Sequence, residues 1–198
     1  VTFSPTESKT YKKSQSVKIT VEDNTGVVNA SSLKYIISNA TTATPDKTLL
    51  NGATITIDSV TGIYYIIVEA CDGAGNCVIQ PSGAYYIDNS VPTITYGTNG
   101  NSAYQKSVST KVTANANTGS IVSLKYIVST DKNDTPTTDI ANGGTVTISG
   151  KTGTYYIVTK ACDEAGNCKT QASNAFYLDN SAPTITFGTN GNSTYAKS

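Results

Sequence analysis

Apolar and polar residues alternate along this chain with a period of two. Val17, Ile19 and Val21 alternate with Lys18 and Thr20. Leu33, Tyr35 and Ile37 do the same, and Ile55 and Ile57 alternate with threonines, as Val146 and Ile148 do later. Side chains two apart share one face of a strand, so this pattern, carried by β-branched and aromatic residues, predicts half-buried antiparallel strands. No apolar stripe of helical spacing runs to a useful length. Asn51-Gly52, Asp72-Gly73 and Asn142-Gly143-Gly144 are turn formers between the runs. The expected fold class is all-β, built as a sandwich of short strands.

The pattern occurs twice. Ser32-Leu33-Lys34-Tyr35-Ile36-Ile37-Ser38 returns as Ser123-Leu124-Lys125-Tyr126-Ile127-Val128-Ser129. Ala70-Cys71-Asp72-Gly73-Ala74-Gly75-Asn76-Cys77 returns 91 residues later as Ala161-Cys162-Asp163-Glu164-Ala165-Gly166-Asn167-Cys168. Two extra residues in the first copy, between Lys18 and Leu33, mark a loop. The chain therefore divides into a module at 1–91, a module at 92–182 and the first strand of a further repeat at 183–198. A length near 90 residues suits a small domain with its own core. With Thr184 to Ser198 repeating Thr93 to Ser107, the sequence reads as an internal piece of a longer array, and this tail is expected to lack partner strands.

The longest strand leads into the octapeptide. Counting back, Ala70, Val68, Ile66 and Tyr64 share one face, and Cys71, Glu69, Ile67 and Tyr65 the other. An unpaired Glu69 or Lys160 is costly to bury, so the cysteine face is expected to be the outer one. In Asp-x-Ala-Gly-Asn, Gly75 and Gly166 can take positive φ and close a tight hairpin, with Asp72 and Asn76, or Asp163 and Asn167, at its base. Cys71 then faces Cys77, and Cys162 faces Cys168, at a non-hydrogen-bonded pair where side chains approach most closely. Two intramodule disulfides are expected, and with them an oxidising setting. Structural zinc needs four ligands, and each copy supplies two cysteines and no histidine.

Composition narrows the chemistry. The chain has no His, and all 14 basic residues are Lys, balanced by 14 acidic ones. The commonest general base and the bidentate phosphate reader are both missing, so no catalytic residues and no cofactor are expected. No basic field exists to hold nucleic acid, and no apolar run is long enough to insert in a membrane.

With these residues in place, the chain resembles the bacterial immunoglobulin-like domains strung along large surface proteins. The resemblance rests on the strand-and-tip patterns Tyr64 to Asn76 and Tyr155 to Asn167, and on the linkers Asp88-Asn89-Ser90-Val91-Pro92 and Asp179-Asn180-Ser181-Ala182-Pro183. It implies two tandem Greek-key sandwiches used as an extracellular spacer or adhesin stalk, with neighbouring repeats of the same chain as partners. The alternatives are a module that binds a host glycan or protein, and accessory repeats of a large secreted enzyme. Gly62-x-Tyr64 and Gly153-x-Tyr155 look like tyrosine corners, while Ile66 and Ile157 stand where an inter-sheet cysteine would be.

Three further constellations are weaker. The linkers, with Glu22, Asp23 and Asn24, hold oxygen ligands of the kind calcium uses, although the second copy offers Asn115, Ala116 and Asn117 there. A Pro-stiffened linker with an Asx turn is the plainer reading. Tyr65 and Tyr156 beside Tyr86 and Tyr177 could make an aromatic platform for sugars, or pair across strands. Lys18 and Lys111, candidates for an isopeptide crosslink, are expected to point outward.

Overall fold

The structure is a computed structural model that describes residues 1–24 and 26–188. The first module holds nine strands: β1 (Thr2–Ser4), β2 (Ser8–Lys12), β3 (Gln15–Thr20), β4 (Lys34–Ser38), β5 (Lys47–Thr48), β6 (Thr54–Ile57), β7 (Gly62–Cys71), β8 (Cys77–Pro81) and β9 (Tyr85–Ile87). The second holds β10 (Thr93–Tyr96), β11 (Ser107–Asn115), β12 (Ile121–Ser129), β13 (Thr138–Asp139), β14 (Thr145–Ser149), β15 (Gly153–Asp163), β16 (Cys168–Ala172) and β17 (Phe176–Leu178). One 3-10 turn at Ala30–Ser32, capped by the Asn29 side chain, fills the loop that is longer in the first copy. No α-helix occurs among the described residues.

Each module is a pair of sheets. In the first, β1-β3-β6 form one sheet and β2-β9-β7-β4-β5 the other, with β8 also on β7. The chain changes sheet between β3 and β4, between β5 and β6 and between β6 and β7, which is Greek-key connectivity. The second module repeats it as β10-β11-β14 and β13-β12-β15-β16, with β17 on β15. The parallel pair β2–β9 shrinks there to a single bridge between Gln105 and Leu178. Thr93–Tyr96, the segment after the linker, pairs with β11. Residues 184–188 are exposed and form no strand, and the remainder of the expected third repeat, 189–198, lies outside the described residues.

Alternation places the core where the two sheets face each other. Phe3, Val17, Ile19 and Ile57 from one sheet meet Ile66, Val68, Tyr85 and Ile87 from the other. The second cluster is assembled alike from Tyr96, Val112 and Ile148 against Ile157, Ala161, Phe176 and Leu178. Each fully buried large apolar side chain contributes about 1.5–3 kcal/mol, so each module has a core of its own.

The copies place their buried hydroxyls differently. In the first module Tyr85 donates to the carbonyl of Pro5 at 2.6 Å, and Phe3 is plain hydrocarbon. In the second the ring at the Tyr85 position is Phe176, and Tyr96, at the Phe3 position, donates to the carbonyls of Gln171 at 2.8 Å and Ile157 at 3.0 Å. Burial pushes both tyrosine pKa values up, because a phenolate there would lose its water. Val17 likewise gives way to Thr110, whose buried hydroxyl donates to the carbonyl of Thr98 and accepts its N–H.

Two expectations need correction. The outer face of β7 and β15 is not uniformly exposed: Ile67 and Val158 are fully buried on it. Each sits in the middle of its sheet, Ile67 between Ile36 and Pro81, and Val158 between Ile127 and Ala172, so neighbouring strands cover it. Nor do Tyr64 and Tyr155 form hydroxyl-anchored corners. Among the described residues, the tyrosines whose hydroxyls are tied to distant backbone are Tyr85 and Tyr96.

Candidate functional site

The hairpin tips lie at one end of each module and the linkers at the other. β7 runs from Gly62, beside Ile87 at the linker, to Cys71 at the tip. Both cysteine pairs, Cys71–Cys77 and Cys162–Cys168, are bonded, and no free cysteine occurs among the described residues. The Cys71 backbone N–H donates to Ser32 Oγ and its carbonyl accepts from the Asn29 N–H, so neither group bonds to Cys77.

Each tip is closed by its Asp and Asn. The Asp72 N–H donates to the Asn76 carbonyl at 2.9 Å and the Gly75 N–H to the Asp72 carbonyl. Gly75 and Gly166 have φ of 92° and 84°, a conformation costly for any residue with a Cβ. Asp72 Oδ1 accepts from the N–H groups of Ala74 and Asn76, and Oδ2 accepts from Asn76 Nδ2 at 2.7 Å. The side-chain and backbone donors of Asn76 lead in holding the Asp72 carboxyl below its ordinary value. Asp163 is bound by Asn167 in the same way.

The linkers are equally well formed. The Asn89 N–H donates to Thr61 Oγ1, and Asn89 Nδ2 donates to the carbonyls of Lys13 and Val60. Asn180 repeats these bonds to Thr152 Oγ1, Lys106 and Lys151. Asp88 and Asp179 each accept from the backbone N–H and the hydroxyl of the serine two residues on. The Asp-Asn-Ser end is thus clamped onto its own module in both copies.

One tip meets one linker. Asn167 Nδ2, besides closing its own tip, donates at 2.9 Å to the backbone carbonyl of Asp88 in the first module. Asp88 is 0% exposed, Asp163 1% and Asn167 6%. Pro92 is buried too, whereas Asp179 and Pro183 are exposed. Burial alone would raise the Asp88 pKa, but the Ser90 donors, with the Thr118 hydroxyl of the second module nearby, outweigh it and hold the carboxyl below its ordinary value. The Thr118 hydroxyl and Asp88 Oδ2 are both buried without completing a hydrogen bond.

The remaining candidates are dispersed. Glu22, Asp23 and Asn24 line a groove beside the first module's own tip, so they lie at the far end from the Asp88 linker rather than joining it. Tyr86 packs at a tilt against Tyr11, ring centroids 5.2 Å apart, and Tyr177 meets Tyr104 edge-on at 5.7 Å, rather than Tyr65 and Tyr156. Tyr156 instead carries the Lys132 ammonium, 4.8 Å from its ring. Lys18 and Lys111 are exposed. Among the described residues no three metal-ligating side chains come together, and no helix is long and apolar enough to cross a membrane.

No protein-family model matches the chain, and no curated protein does. Among solved structures it is similar to the fibronectin(III)-like modules of Clostridium thermocellum CbhA, at 15% identity and a TM-score of 0.39, over 94% of this chain and 99% of that one. What defines the class is the strand order itself: these are immunoglobulin-like all-β sandwiches. The function of the chain does not follow from that class.

Proposed function

We propose that the two modules are spacer repeats of an extracellular bacterial surface protein, joined so that the linker is a fixed joint rather than a tether. The observation that carries this reading is the seated joint, in which Asp88 loses all exposure and gives its carbonyl to Asn167. A free linker would leave these groups in water, as Asp179 is left. The paired disulfides fit an oxidising compartment. The chemistry is mechanical: disulfide-pinned tips resist fraying, and clamped linkers restrict bending.

Small-angle scattering tests this. The chain is expected to give a narrow distance distribution ending near ~70–80 Å, two ~33 Å strand lengths plus the joint. Four glycines inserted after Val91 are expected to broaden it. Equal breadth for both would overturn the reading. A second reading, glycan binding, is favoured by the paired rings Tyr11–Tyr86 and Tyr104–Tyr177. A glycan array would support it if binding appeared and vanished in Tyr86→Ala and Tyr177→Ala.

A further inference from the structure

We propose that the hairpin tip of the first module is a docking surface for the Asp-Asn-Ser-x-Pro end of another module of this kind, with Asn76 Nδ2 donating to the carbonyl of its Asp. The proposal rests on the spacer reading and extends it from one joint to an array.

The second tip supplies the template. An Asn side-chain amide carries two N–H groups. Asn167 uses one on Asp163 Oδ2 and the other on the Asp88 carbonyl. Asn76 makes the first of these bonds, to Asp72 Oδ2, and among the described residues its amide reaches no second acceptor. The turn needs only one of the two, so the second donor is surplus to closing the hairpin. The complementary half stands at the other end of the chain. Asp179 is exposed, its carbonyl takes no donor among the described residues, and Asn180 and Ser181 hold it in the same bonded shape as the Asp88 linker. Both partners are therefore preorganised, which lowers the ordering cost of docking.

The surrounding surface agrees. An open groove at the first tip is lined by Val1, Val21, Val28, Asp72 and Asn76. The position equivalent to Val1 in the second module is Ile94, and the residues just ahead of it, including the buried Pro92, are those of the docked linker. An Asp-Asn-Ser-x-Pro-Thr segment entering ahead of Val1 would follow the same path.

The test extends the full chain at its N-terminus with a further module, residues 93–184, so that Thr184 precedes Val1 as Thr93 precedes Ile94. Side-chain amide exchange of Asn76 and Asn167 is followed by NMR in the native and extended chains. In the native chain Asn167 should exchange at least about tenfold more slowly than Asn76. In the extended chain Asn76 should slow to match it, and Asp72→Ala in the extended chain should abolish that protection while Asn167 keeps its own. Slow Asn167 with Asn76 still fast in the extended chain would overturn the docking surface and leave the spacer reading standing. Fast exchange at both would overturn both.

Discussion

The two hairpin tips share a turn, a disulfide and an Asp–Asn closure, yet the closing Asn is buried in one and open to solvent in the other. Asn167 is 6% exposed, while Asn76, in the same internal bonds, is exposed. What separates them is the Asp88 linker pressed against the second tip. The turn therefore forms without a partner, and the partner adds a separate layer of protection. Local closure and inter-module seating are two devices built from one Asn side chain.

The largest expected effect falls on what the tips have in common. Opening either disulfide, by Cys77→Ser or Cys168→Ser, removes a short loop worth about 2.4 kcal/mol in the chain-entropy model. Denaturation curves should show a loss of that order in each module with folding retained. Under reductant, backbone exchange at the first tip should rise more than at the second, where the Asp88 linker still covers it.

Next comes the comparison itself. Asn167→Ala leaves the buried Asp88 carbonyl without a donor and should cost about 1–3 kcal/mol. Asn76→Ala removes an exposed bond that water replaces, and should cost no more than about 1 kcal/mol. Equal costs, measured module by module by hydrogen exchange, would erase the distinction.

Within the cores, Tyr96→Phe strips the donor from the carbonyls of Ile157 and Gln171, a loss of about 1–2 kcal/mol in chemical denaturation. Thr159, whose buried hydroxyl completes no hydrogen bond, stands where the first module has Val68. Thr159→Val should be neutral or stabilising by up to about 1 kcal/mol.

The smallest effect is electrostatic. Asp88 and Asp179 both have carboxyls held below the ordinary value of 3.8, Asp179 chiefly by the Ser181 hydroxyl. A folded-state pKa below the unfolded one means that the ionised form stabilises the fold above pH ~4, and that this stabilisation is lost as pH falls through the folded value. Among the described residues, Asp88 alone also has a hydroxyl of the next module, that of Thr118, beside its carboxyl. Thr118→Val should raise the Asp88 pKa in an NMR titration and leave Asp179 unmoved.

Much of this was legible in the sequence because it is local. Alternation located the strands, and the turn chemistry around Gly75 and Gly166 brought the cysteines face to face. Parity along one strand could not tell that Ile67 and Val158 would be covered, since that depends on which strands flank them. The break between β8 and β9 was hidden for a similar reason. Ser82 and Ser173 accept the N–H groups of Ile66 and Ile157 across the sheet, pairings fixed only by the fold. The tyrosine anchors were sought two residues after Gly62 and Gly153, whereas the copies use Tyr85 and Tyr96. The joint was the least visible feature, because it links Asn167 to Asp88 over 79 residues. The one available signal was a surplus: Asn closes both tips, and the turn uses only half of its amide.

The most direct test of a seated joint is a set of residual dipolar couplings from both modules of the full chain. One alignment tensor should fit both modules in the native chain, and two should be needed in Asn167→Ala. Two distinct tensors in the native chain would contradict the account.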